Sequence, residues 1–195
     1  DFFRLDARRL FFLVGDVAGK GLSASIFMAV SKALAKSAAI RHPDDDVGTW
    51  MTAVNREISR DNSEALFVTA FAGILDLEAG DLVYCNAGHD DPYCVGAASG
   101  LRRLDAGDGP PLCTVDDYEY RGEHTFLDRG ELVVLVTDGV TDMRDASGAM
   151  YGRERMEAVL ERSRAAQAPA RSVVDALKAD VQAFAAGAEP ADDLT

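Results

Sequence analysis

The apolar positions of this chain change period as it is read. Residues 10–14 form an unbroken apolar run closed by Gly15-Asp16, which suits a buried strand. Over residues 22–40 the spacing becomes helical, with Ile26, Phe27, Val30 and Leu34 among small residues. Ser23 and Ser25 stand where a hydroxyl can cap free N–H groups. Residues 47–59 repeat the helical period, with Trp50, Met51, Val54 and Ile58 on one side. Residues 66–76 and 82–86 then read as strands joined by the turn Glu78-Ala79-Gly80-Asp81. Further strands are expected at 92–95, 101–104, 118–127 and 132–137, the last entered through Asp128-Arg129-Gly130-Glu131. Residues 96–111, rich in Gly, Ala, Asp and Pro, are the best loop candidate. Helices return at 152–164 and 169–186, the second with Pro169 in its first turn. Strands in blocks rather than strict alternation predict an α+β layered fold, not a doubly wound sheet.

The length of 195 residues fits one domain, and 48% hydrophobic content allows a core without disulfides or structural metal. Charge narrows the partners. Twenty basic against 33 acidic residues give −13, which argues against nucleic acid, and no dense basic block is present. Cys85, Cys94 and Cys113 match neither a CxxC pair nor a zinc knuckle, and read as core or subsurface residues of a reducing cytoplasm. The apolar runs are too short to cross a bilayer and no signal peptide stands at the start, so the expected location is cytoplasmic.

The candidate chemistry lies in three acidic sites. Phe11-Phe12-Leu13-Val14 runs into Gly15-Asp16, Val133-Val134-Leu135-Val136 runs into Thr137-Asp138-Gly139, and Asp192-Asp193 stand near the end. A carboxylate at the tip of a buried strand loses hydration, and several together repel one another unless a cation sits between them. Oxygen donors without cysteine or paired histidine favour Mg²⁺ or Mn²⁺ over zinc. Taken singly, Asp before Gly is an ordinary turn residue, and periodicity does not show that the three converge. A phosphate-cradling reading of residues 15–21 fails: three residues, not four, separate the glycines, and Gly21 follows Lys20.

Six segments, in order, carry a family resemblance. Gly15-Asp16-Val17-Ala18-Gly19-Lys20-Gly21 resembles the GDVSGKG signature of the stage II sporulation E-type (SpoIIE-like) branch of the metal-dependent PPM protein serine/threonine phosphatases. Phe67-Val68-Thr69-Ala70-Phe71 resembles its FVTxF strand, and Tyr84-Cys85-Asn86-Ala87-Gly88-His89 its YxNAGH segment. Leu135–Thr141 as a stretch resembles LxTDGVTE, Tyr151-Gly152-Arg153-Glu154-Arg155 resembles FGxER, and Asp192-Asp193-Leu194-Thr195 resembles the terminal DDxT. Together they span essentially the whole chain.

The resemblance implies one phosphatase domain over residues 1–195, a layered α-β-β-α sandwich of two antiparallel sheets flanked by helix pairs. It implies two divalent cations, Mn²⁺ or Mg²⁺, held by Asp16, the backbone carbonyl of Val17, Asp138 and Asp192. A water activated by the cations would attack phosphoserine or phosphothreonine in line, with no phosphoenzyme. His89 is either a hydrogen-bonding or proton-transfer group near the site or a structural histidine. Asp193 is either a partner of Asp192 or a solvated neighbour. The implied partner is a phosphorylated regulatory protein, a STAS-domain anti-sigma-factor antagonist, with a sensor or receiver domain upstream. The helix at 22–40 is a candidate switch.

The chain departs from the family pattern at its ends. Asp1 matches the second aspartate of GGDxYD, which places the first, a ligand, before the chain, and the strand after DDxT is missing. Ala18 replaces Ser, Asp142 replaces Glu, and Asp90-Asp91 add negative charge beside His89. Besides the phosphatase reading, a catalytically inactive pseudophosphatase acting as a partner-binding module and a phosphatase of small metabolites are the alternatives.

Overall fold

The computed structural model describes residues 1–187 other than Asp61, Asp105, Ala106 and Asp108. Its elements in chain order are β1 (Phe2–Arg4), β2 (Arg9–Val17), α1 (Leu22–Arg41), α2 (Val47–Ser59), β3 (Val68–Asp76), β4 (Asp81–Ala87), β5 (Tyr93–Gly96), β6 (Gly100–Arg103), β7 (Glu123–Phe126), β8 (Leu132–Val134), α3 (Asp138–Thr141), α4 (Arg153–Ala165) and α5 (Ala170–Ala185). They fall into two compact units, one of residues 1–89 and 106–127, the other of residues 90–105 and 128–195.

The first unit is an antiparallel sheet in the order β1-β2-β3-β4-β7 with α1 and α2 packed on it. Alternation along β2 sends Phe11, Leu13 and Val17 to the helix side, where Phe11 joins Trp50, Met51, Val54 and Ile58 of α2 in one core. The spacing of those α2 residues is what the helical period requires, and Asp46 caps the helix by accepting a bond from the Gly48 N–H at 2.8 Å. Each large apolar side chain buried here contributes about 1.5–3 kcal/mol. The buried Asn55 amide spends its donors on the Val115 and Asp116 carbonyls and its oxygen on the Cys113 N–H, tying the loop to α2.

The second unit is an antiparallel sheet in the order β6-β5-β8, with α4 and α5 as its helix pair. Val173, Leu177, Val181 and Ala185 recur every fourth residue of α5 and share a core with Met156, Val159 and Leu160 of α4. The Tyr93 hydroxyl donates to Glu157 at 2.6 Å, fixing α4 to β5. Two antiparallel sheets, each with its own helix pair, are the α+β architecture that the pattern and the resemblance predict.

Several expectations are corrected. The strand expected over 118–127 is only β7, because Tyr120 gives its N–H to the Thr52 hydroxyl of α2 and its own hydroxyl to the Pro110 carbonyl, leaving the ladder at that point. The strand expected over 132–137 stops at Val134, whose partner Tyr93 begins β5. The loop candidate at 96–111 holds the whole of β6, as the strand expected at 101–104 requires. Ser23 and Ser25 do not cap α1: their hydroxyls donate, to Glu64 and to the Gly21 carbonyl, and Gly21 takes the cap position at φ 91°. The buried positions of α1 are Ala24, Ser31, Ala35 and Ala39, with Phe27, Met28 and Leu34 packed partly buried against the core, while Ile26 and Val30 are 55% and 46% exposed.

Candidate active site

Asp16 stands one residue before the end of β2, opposite Thr69 of β3. The next pair, Val17 and Val68, is not bonded across the β2–β3 ladder, since Val68 exchanges both backbone bonds with Leu112 at 3.1 and 2.8 Å. Leu13, four residues earlier on β2, likewise turns its backbone to Asp1, on the side away from β3. Because antiparallel pairs alternate, the Val17 carbonyl points away from β3. The same alternation puts the Asp16 side chain on the sheet face opposite the helices, with Phe12 and Val14. Beyond Val17 the chain is held by the Ala18 N–H on the Phe67 carbonyl at 2.9 Å before it turns into α1.

Two further motifs meet at this end of the sheet. The Thr69 hydroxyl lies 3.4 Å from the Asp16 carbonyl oxygen and 3.1 Å from Nδ1 of His89, which is 7% exposed. His89 is held by its backbone: its N–H donates to the Asn86 side-chain oxygen at 2.8 Å, and its carbonyl accepts from the Asn86 amide at 2.9 Å. The reversal between them needs Gly88 at φ 71°, where a Cβ would stand 2.6 Å from Cδ of Pro111. Gly88 also runs alongside Ala70, which carries His89 back over β3. Thr69 and Asn86 were not singled out in the sequence, although both lie inside the motifs; the register of β2, β3 and β4 is what makes them neighbours of Asp16 and His89.

The fourth motif, around Asp138, belongs to the second unit. After β8 the chain runs through the buried Val136 and Thr137 to α3, which opens with the exposed Asp138. The Asp138 carbonyl accepts the Asp142 N–H at 2.7 Å, and the Gly152 N–H reaches the Thr141 carbonyl at 2.9 Å, joining this motif to Tyr151–Arg155 as a stretch. The two carboxylates that add negative charge after His89 have basic partners within the same unit, Asp90 with Arg153 at 3.8 Å and Asp91 with Arg103. Asp192 and Asp193 lie outside the described residues.

The donors present are hard oxygens. Burial pushes the Cys85 thiol up to about 12 and the Cys94 thiol up to about 11, so neither supplies a thiolate near neutral pH. Among the described residues no three His, Cys, Asp or Glu side chains gather round one point. The Asp16 carboxylate and the outward-pointing Val17 carbonyl are oxygen donors of the kind that suit Mg²⁺ or Mn²⁺. Among the described residues no helix is long and apolar enough to cross a membrane.

The family described as Stage II sporulation protein E (SpoIIE) matches residues 6–195 of this chain. The chain is similar to Protein IcfG of Synechocystis sp. (27% identity over 220 residues, all of this chain and 34% of the relative). It is also similar to the Phosphoserine phosphatase RsbU of Bacillus subtilis (24% over 178 residues, 90% of this chain and 52% of the relative). It thus spans about a third and about half of these two curated relatives. The solved SiaA-PP2C domain of Pseudomonas aeruginosa has the same fold, with a TM-score of 0.82 at 20% identity over 98% of this chain and 75% of that one.

Proposed function

The chain belongs to the stage II sporulation protein E (SpoIIE) family, and from that premise we propose that it is a metal-dependent protein serine/threonine phosphatase domain. The observation that carries the reading is the meeting of three separate motifs, through Asp16, Thr69 and His89, at one end of the five-stranded sheet. The carboxylates of Asp16, Asp138 and Asp192 and the carbonyl of Val17 hold two divalent cations in this reading, with Asp193 beside Asp192. When bound, such cations lower the pKa of water and neutralise developing charge on a phosphoryl group. They also answer the electrostatics: a chain of net charge −13 repels a phosphate dianion unless cations stand between them. His89, buried and with its backbone clamped by Asn86, is in this reading a hydrogen-bonding group beside the site.

The substrate in this reading is a phosphoserine or phosphothreonine on a small regulatory protein of the STAS type. The support is the likeness to RsbU, whose name describes a phosphoserine phosphatase. A cytoplasmic location and regulation by an upstream domain accompany it. The test is phosphate release from a phosphoserine STAS-domain protein by the full-length protein, with and without Mn²⁺, and with Asp138→Asn as control. Mn²⁺-dependent release that the substitution abolishes supports the reading. Binding of the phosphoprotein without release at any Mn²⁺ or Mg²⁺ concentration makes the chain a partner-binding module instead, and equal rates on a sugar phosphate make it a metabolite phosphatase.

A further inference from the structure

We propose that Asn86 and Thr69 are positioning residues of this site, a clamp that sets the end of β2 presenting Asp16 and Val17. The inference rests on the metal-dependent reading of that end. Asn86 uses one carboxamide to satisfy both backbone groups of His89, at 2.8 and 2.9 Å, a pairing that a strand partner would ordinarily supply. This fixes where the imidazole starts, and its Nδ1 then lies 3.1 Å from the Thr69 hydroxyl. A threonine hydroxyl bonded on one side has its rotamer selected, and this rotamer brings Oγ1 to the carbonyl oxygen of Asp16 at 3.4 Å. The links cross three adjacent strands, β4 to β3 to β2, within a few residues of where each ends or turns.

The need for such a clamp follows from the strand end itself. Beyond Val17 the bond from the Ala18 N–H to the Phe67 carbonyl at 2.9 Å continues the pairing, but Gly19 and Gly21 follow at positive φ, so the backbone restrains the side chain of Asp16 and the turn after it only lightly. A cation site demands donors placed within a few tenths of an ångström. Outer partners of ligating residues supply that constraint, and their removal typically costs about 10- to 100-fold in metal affinity.

The experiment is Mn²⁺ binding to the full-length protein, measured by electron paramagnetic resonance of the free ion, for the unsubstituted chain, Thr69→Val, Thr69→Ser and Asn86→Asp. Valine keeps the shape of threonine without the hydroxyl; serine keeps the hydroxyl; aspartate keeps the acceptor for the His89 N–H but offers no donor to its carbonyl. Thr69→Val is expected to weaken Mn²⁺ binding by about tenfold. Thr69→Ser should restore it to within about twofold, and Asn86→Asp should fall between, all with unchanged far-ultraviolet circular dichroism. Equal affinity in Thr69→Val and the unsubstituted protein overturns the clamp, as does equal loss in the serine and valine variants. If the unsubstituted protein takes up no Mn²⁺, the metal reading itself fails, and the clamp fails with it.

Discussion

The Tyr151 hydroxyl donates to the Asp180 carboxylate across 2.9 Å and so joins the approach to α4 to the middle of α5. The same carboxylate accepts Nε of Arg155 at 2.8 Å, and Arg155 in turn lies over the Tyr151 and Phe184 rings. The bond from Arg155, then that from Tyr151, holds Asp180 below the usual carboxylate range, while burial and Asp180 push the Tyr151 phenol up to about 12.

A pH dependence follows. Folded Asp180 binds its proton less readily than unfolded Asp180, so its stabilisation is fully present above the ordinary value of 3.8. As pH falls below that value the unfolded chain takes up the proton first, and the contribution is lost as the lower, folded value is passed. The side chain is 24% exposed, so the contribution is screened to about 1 kcal/mol. Asp180→Ala is expected to lower the unfolding free energy, read from urea denaturation at pH 7, by about 1 kcal/mol and to flatten the acid limb of a melting-temperature profile.

Packing of α1 gives an opposed pair of outcomes. Ala39 is fully buried against the core, so Ala39→Leu is expected to cost about 1–3 kcal/mol through overpacking. Ile26 is 55% exposed, and Ile26→Lys is expected to change stability by less than about 0.5 kcal/mol. Denaturant unfolding of the two variants checks which face of the helix is packed.

The turn before His89 is expected to tolerate no side chain. Gly88→Ala adds a Cβ 2.6 Å from Cδ of Pro111 at a φ of 71°, and the loss should be at least about 1 kcal/mol, again read by denaturant unfolding.

Metal removal makes the last comparison. Chelation by EDTA should abolish phosphate release by the full-length protein, and Mn²⁺ should restore it. Asp16→Asn is expected to lose more than the roughly 10- to 100-fold that outer partners of a metal cost, because in the metal-dependent reading it removes a ligand rather than its support. Release that persists in EDTA would overturn the metal-dependent reading.

The elements were largely legible in the sequence where one period runs unbroken. α2 has the limits its spacing predicts, since Trp50, Met51, Val54 and Ile58 announce a single apolar stripe. α1 was read only in part: Phe27 and Leu34 do pack on the core, but Ile26 and Val30 are exposed and the fully buried positions are alanines and Ser31, which hydrophobic spacing barely registers. Residues 118–122 have strand-like composition, but a hydroxyl of α2 takes the Tyr120 N–H, and that competition is invisible until α2 is placed. At the site, Asp16 and His89 were legible because their motifs name them. Thr69 and Asn86 acquire meaning only from the register of three strands, in which residues 53 apart in sequence become partners.

The division of the chain between its two units sets an order of events during synthesis. Residues 90–105 leave the first unit before it is finished, and residues 106–127 return to it. The outer edge of β4 along residues 81–84 stays open until β7 arrives with residues 123–126. At about 5–20 residues per second, a ribosome leaves that edge without its partner for several seconds. A nascent chain stopped between residues 90 and 122 thus carries an unprotected β edge, the form in which it most readily pairs with a second chain.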